Sequence, residues 1–422
     1  MNTRLMRLPF IALVLAALAC SGLGSPALTP TPATLASSGQ TPAALTPLAA
    51  LTKPASQATP ANNGTPSSNV TPGSDATAVN GATASGPTPE GANLSSAGKA
   101  DTPRLAFDAQ GTLHLVWLDK SLREAGDILH RQKTTGGDWS KAESLTTDFE
   151  TLYGDISLIR DQAGAICAVF AAAKTDSDPT TIGLYQRCQS GTTWSPATKL
   201  AITQQTGVTL RGYSPALGTD GTMHAAYIIS AGTINFDDMQ LSPDDATALG
   251  PSLAIDKAGG YHVAWVNLGT ATSASTVQYR FSPDQGKTWQ AAQTLSTAAN
   301  APNGDTLLVA DEAGNVHLLW GDGDVYYRLW TPTGGWGAPV ALAGDQVGPN
   351  PALAVDAKGL ARVVWERHDG LPYVVQAAGG AWSAPRAISQ LESGKPQIAI
   401  DAAGGTHVAW LSNTDVYYLA VP

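Results

Sequence analysis

The sequence predicts an all-β fold, a β-propeller of seven blades, and three observations carry that expectation. A line of the form Pro-Ala-Leu-Ala-Val-Asp-x-x-Gly, as at residues 351–359, recurs in near copy from residue 100 onward at a period of about 45–55 residues, the range expected of blade repeats. Six positions after the aspartate stands a histidine or a substitute. Nine after it comes an aromatic residue.

The repeats open at Asp108, Asp161, Asp220, Asp256, Asp311, Asp356 and Asp401. In six of them an Asp-x-x-Gly turn leads to His114, Cys167, His262, His317, Arg362 or His407, and a shorter turn in the third leads to His224. The aromatics are Trp117, Phe170, Tyr227, Trp265, Trp320, Trp365 and Trp410. Segments such as His-Val-Ala-Trp alternate and are divided by glycine-rich turns, the pattern of short antiparallel strands. One such sheet cannot cover both its faces, whereas radial packing of several does so, with aromatics filling the wedge between neighbours. The third repeat lacks the second tryptophan that five others carry (Trp139, Trp194, Trp289, Trp336 and Trp382), so six blades stand as the alternative.

The last repeat ends after three strands. Its missing fourth is expected from the other end of the domain, where the residues from Glu90 onward precede Thr102-Pro-Arg-Leu-Ala-Phe-Asp as Ser383-Ala-Pro-Arg precedes Lys395-Pro-Gln-Ile-Ala-Ile-Asp. Closure of the ring by an N-terminal strand removes two sheet edges.

Ahead of the repeats the composition changes twice. Residues 1–19 carry Arg4 and Arg7, then an apolar run over residues 8–19, and end before Cys20. That is an export signal, too short to span a bilayer. Ala-Leu-Ala-Cys20 resembles a bacterial lipobox, with Ala17 where the pattern prefers leucine; the resemblance implies a lipid on Cys20 as the mature N-terminus. Residues 20–87 are rich in Pro, Thr, Ser and Ala, with Lys53 and Asp75 as their charges. Such a stretch cannot bury enough apolar area to offset its ordering entropy and is expected to be a disordered stalk, with a coil reach of about 45 Å. The globular domain is then residues 88–422.

Charge limits the partners. The formal charge of −10 falls to about −12 once Arg4 and Arg7 leave with the signal. With no basic stripe, nucleic acid is not an expected partner, and membrane attachment is expected through the lipid alone.

One repeat contains Ser282-Pro-Asp284-Gln-Gly286-Lys-Thr288-Trp289. This matches the Asp box of sialidase-type (BNR-repeat) propellers, and the resemblance implies a structural turn remote from any catalytic face. Sialidases also share three arginines for the substrate carboxylate, a tyrosine nucleophile polarised by a glutamate, and an aspartate acid/base. Here Arg104 and Arg160 are the inner-strand arginines, so the triad is not identifiable and no catalytic residue is assigned. The five repeat histidines belong to separate blades and are expected to be structural rather than metal ligands, and no cofactor or metal is expected. Asp322-Gly-Asp324 fits a hairpin turn.

Cys167 and Cys188 fall on adjacent strands of the second repeat, as diagonal neighbours when aligned on the short hairpin of the fifth, and a disulfide is expected. The second-to-third-strand turns and the blade-to-blade loops vary in length and chemistry while the other turns are uniform, so recognition is expected on the variable face. Its candidate ligand-binding residues are Tyr153, Asp155, Arg211 and Tyr213, with the polar loop Glu366-Arg367-His368-Asp369 beside them. Together these features predict a lipid-anchored, exported recognition or scaffold domain for a protein or glycan at the cell surface. The alternative is a sialidase-type glycoside hydrolase.

Overall fold

The computed structural model describes residues 91–95, 98–200, 212–229, 232–243, 247–270, 272–302, 304–348, 350–367, 370–376 and 380–421. The signal, Cys20 and the stalk lie outside the described residues, as does Arg211.

Among the described residues, seven antiparallel sheets form the domain. Blade one holds Ala100–Phe107, Leu113–Asp119, Asp127–Lys133 and Glu143–Ser144, in that order from the axis outward. Blades two to seven begin with the inner strands Thr151–Arg160, Gly212–Leu217, Ala248–Ile255, Leu307–Ala310, Ala352–Val355 and Gly394–Ile400. Each inner strand contacts the next, and that of blade seven contacts that of blade one, so the inner strands make a closed ring. The third repeat has its own four strands and counts as a full blade. Blade five departs in one respect: Val316–Thr331 runs on as a single strand that supplies both its second and third rungs. Its tight bend is at Gly321, where a Cβ would lie 3.0 Å from the Asp324 carbonyl oxygen.

Packing explains why the second strands read as nearly continuous apolar runs. Leu113–Asp119 and Ile166–Ala173 are buried at every position, because each blade is covered on both sides. Between blades three and four, Ile234 and Phe236 meet Tyr261, Val263 and Trp265. The five second-strand tryptophans are all buried, each such side chain contributing about 2–3 kcal/mol.

Blade seven is completed by Ala92–Asn93, paired with Asp415–Val421 in the register Ala92 to Tyr418 and Asn93 to Tyr417. The strap is held beyond that short ladder. Leu94 N–H donates to Val416 O and Ala100 N–H to Thr414 O, both at 2.8 Å. Leu94 itself is buried with Trp117 of blade one and Val416 of blade seven.

Candidate functional site

The mouth of the central channel is shaped by β-bulges. In blades one, four and seven the inner-strand register steps over Asp101/Arg104, Leu249/Ser252 and Gly394/Gln397, each time opposite the second-strand tryptophan. One residue in each bulge has positive φ, namely Thr102 (44°), Gly250 (50°) and Lys395 (48°), and a proline follows it. Proline has no N–H, so the unpaired position leaves no orphan donor there. Blade two carries a related irregularity between Tyr153 and Ile156, with Gly154 at φ 72°. Residues that follow these bulges, Arg104, Ser252 and Gln397, face the axis.

There they line a cavity of about 580 Å³ that draws residues from all seven inner strands or the loops leading into them. At the position equivalent to Ser252 stand Arg104, Ser157, Ser214, Leu307, Ala352 and Gln397 in the other blades. Two of these hydroxyls tie neighbouring blades together, since Leu253 N–H donates to Ser214 Oγ at 3.0 Å and Leu308 N–H to Ser252 Oγ at 2.8 Å. Such serines are occupied by the scaffold.

Charged groups crowd the rim. Arg104 Nη2 lies 3.4 Å from Asp155 Oδ1, and its Nη1 donates to Pro103 O at 2.9 Å. Lys395 Nζ sits 2.6 Å from Asp101 Oδ1, while its backbone N–H donates to Glu366 Oε2 at 2.9 Å. Among the described residues, both cations of the lining, Arg104 and Lys395, are thus matched by a carboxylate. Asp305 is different: it accepts no hydrogen bond and meets no cation in a salt bridge among the described residues. Its backbone presses on Gly250, where a Cβ would come within 2.5 Å of Asp305 Cα, and Thr306 Oγ1 donates to Gly250 O at 2.8 Å. Although open to channel water, the Asp305 carboxyl is hemmed in by protein. Desolvation raises its pKa above the ordinary value, Asp155 raises it further, and Arg104 partly offsets both.

Of the residues expected to bind ligand, Asp155 and Tyr213 line this cavity. Tyr213 is buried, however, and its hydroxyl donates to the Asp155 carbonyl oxygen, so it serves the joint between blades two and three. Burial pushes its phenol pKa up. Tyr153 does not line the cavity and packs instead against the cluster that contains Tyr213 and Leu184. Lys395 and Asp305 were missed. The shared Pro in Thr102-Pro103, Gly250-Pro251 and Lys395-Pro396 was the available signal for Lys395, because it marks the bulge in which that residue sits; no such signal marks Asp305.

The Asp box in blade four satisfies itself. Ser282 Oγ donates to Asp284 Oδ1 at 2.9 Å and accepts from Gly286 N–H at 2.8 Å; Thr288 N–H donates to Asp284 Oδ1 at 2.8 Å, and Trp289 Nε1 to Gly286 O at 3.1 Å. A Cβ on Gly286 would strike Phe236 of blade three at 2.5 Å. The histidines are likewise internal: His262 lies between Asp256 (3.1 Å) and the Tyr279 hydroxyl (2.7 Å), and His317 and His407 repeat the arrangement with Tyr327 and Tyr418. Cys167 and Cys188 are bridged, and they are directly opposed in register rather than diagonal. The diagonal expectation came from a shorter hairpin whose length does not set the register of blade two.

No protein-family model and no curated protein matches the chain. Among solved structures it is similar to a Hadza microbial sialidase, Hz136, with 16% identity, 78% of this chain and 68% of that one covered, and a TM-score of 0.47. It is similar also to a protein of unknown function from Dyadobacter fermentans, with 12% identity, coverages of 80% and 98%, and a TM-score of 0.45. The NanB sialidase of Streptococcus pneumoniae gives 11% identity, coverages of 79% and 69%, and a TM-score of 0.42.

Proposed function

We propose that this propeller is a non-catalytic recognition domain, lipid-anchored outside the cytoplasm through Cys20, which takes a polar group of a protein or glycan at the channel mouth. The observation that carries this reading is the 580 Å³ cavity, in which Arg104 and Lys395 are already balanced by Asp155 and Asp101 while Asp305 is left without a partner. Such a rim suits neutral hydroxyls or a cationic group better than an anionic sugar.

A sialidase-type mechanism would need three arginines and an activated tyrosine. Among the described residues Arg104 is the one arginine lining the cavity, and the phenol of Tyr213 is shifted away from ionisation. One observation favours the hydrolase reading as the second choice: Asp305, with its raised pKa beside Arg104, has the character of a general acid.

A glycan array probed with the mature protein separates the two. Selective binding that Asp305→Ala weakens, with a fluorogenic sialoside left intact, is the expected result. Turnover of the sialoside that depends on Asp305 would instead establish the hydrolase, and silence across the array would direct the search to protein partners by crosslinking on intact cells. The anchor is tested separately, by fractionation: Cys20→Ser is expected to move the protein out of the membrane fraction, and retention there would reject lipidation at that residue.

A further inference from the structure

Four blades share a polar pair that blade two has replaced. The turn aspartate holds the repeat histidine in Asp108–His114 (3.3 Å), Asp256–His262 (3.1 Å), Asp311–His317 (3.3 Å) and Asp401–His407 (3.2 Å). Blade two keeps the turn, with Ala165 N–H donating to Asp161 Oδ1 at 2.8 Å, but puts Cys167 at the histidine position and Cys188 directly across from it. The Asp161 carboxylate therefore has sulfur rather than an imidazole as its neighbour. Ligand atoms of Asp161, Cys167 and Cys188 all lie within 4.8 Å of one another.

We propose that this cluster is a redox-gated site for a soft divalent cation of the zinc or cadmium class. In the disulfide form seen here the sulfurs offer no thiolate, and the site is closed. A dithiol reductant opens it by transferring two thiol hydrogens: the S–S bond breaks, two cysteine thiols form, and the reductant becomes a disulfide. Cation binding then releases both protons and leaves two thiolates and the Asp161 carboxylate as ligands, with water as the fourth.

Geometry and charge both fit. Two sulfurs on one ion at about 2.3 Å each stand no more than about 4.6 Å apart, a separation that side-chain rotation on two directly opposed residues reaches without backbone movement. Without a cation, two thiolates beside Asp161 would repel one another, so the metal is what makes three anionic ligands compatible. Cys167 is buried, but Cys188 and Asp161 are only half-buried, which leaves room for entry and for the water ligand.

The test uses the Cys20→Ser full-length chain, so that Cys167 and Cys188 are its only cysteines. It is reduced with a dithiol, desalted without oxygen and titrated with Cd²⁺ while the sulfur-to-metal charge-transfer band is followed. One equivalent is expected to bind, with Zn²⁺ competing, no binding before reduction, and loss of the band in Cys167→Ser. Asp161→Asn is expected to keep the band but weaken affinity about 10-fold or more. No band from a chain whose two thiols react freely with an aromatic disulfide reagent overturns the proposal. An unchanged affinity in Asp161→Asn rejects the three-ligand site, and loss of the β circular-dichroism signal on reduction rejects a site in the folded protein.

Discussion

The Ser95 hydroxyl donates to the Asp415 carboxylate at 2.8 Å, joining residues 320 positions apart in the chain. Asp415 also accepts from Asn93 Nδ2 at 2.9 Å and from Gly98 N–H at 2.7 Å, so one side chain holds the strap that completes blade seven. Asp415→Ala is expected to cost about 2 kcal/mol and to lower Tm by about 4 °C. Deleting residues 91–99 should cost more, because Leu94 leaves the core with it. A melt unchanged in both variants would mean that the seam contributes nothing to stability.

Stability should fall on the acid side in a window that the buried histidines set. Burial lowers the pKa of His114, His262 and His317 from 6.5, against the opposing pull of their aspartates, and takes His130 to about 4. Unfolded imidazoles titrate first as pH drops, so the unfolded chain gains protons that the native state refuses. Stability is therefore lost from about pH 6.5 downward until the folded histidines titrate. Asp256 and Asp311, whose pKa values are lowered in the folded state, extend the loss below the ordinary carboxylate range. Tm measured from about pH 7.5 to 4.5 checks the histidine window, and its continuation to about pH 2.5 the carboxylate one; a level profile would refute it, and His262→Gln should flatten the slope.

Gly250→Ala places a Cβ within 2.5 Å of Asp305 Cα at a position whose φ is +50°. Strain of this kind costs about 1–3 kcal/mol. The backbones of blades four and five must part at the channel rim, so both Tm and ligand binding are expected to fall. Retained binding at normal Tm would show that the Gly250–Asp305 contact does not shape the site.

Asp305→Asn is expected to raise Tm at neutral pH. A carboxyl whose pKa is raised in the folded state opposes folding once it ionises, and the amide removes that charge. The same change should abolish the pH dependence of binding to any cationic ligand. A lower Tm would mean that Asp305 has a donor holding it ionised.

Ser282→Ala leaves the buried Gly286 N–H without its acceptor, at a cost of about 1–3 kcal/mol. Binding at the channel should be unaffected, because the box satisfies its own groups and packs on Phe236. Equal losses of stability and binding would contradict the separation of the two.

Blades were legible in the sequence because their constraints are local and repeated. Asp256, Gly259, His262 and Trp265 each recur at fixed offsets, and turn, polar pair and packed indole follow from the spacing alone. The seam was legible for the same reason, as a missing strand with a visible counterpart. Asp305 was not, since each blade gives the channel mouth a different residue and no period marks them. Tyr213 misled because an aromatic ahead of an inner strand is equally suited to facing a ligand or filling the joint between blades, and here Asp155 O takes its hydroxyl. Register in blade two was out of reach for a different reason: residues 174–182 between the paired strands hold a short helical turn, which no other blade's hairpin has among the described residues.

Completion of blade seven by Ala92–Asn93 also orders events in time. The earlier segment must wait, unpaired, until Asp415–Val421 has been made, so the outer edge of blade seven stays open in every intermediate before that point. Until then the growing domain carries two open sheet edges, one at each end of its arc. The commitment to a finished molecule is a single late event of maximal sequence separation, and it is at that step that slow folding and mispairing with a second chain would concentrate.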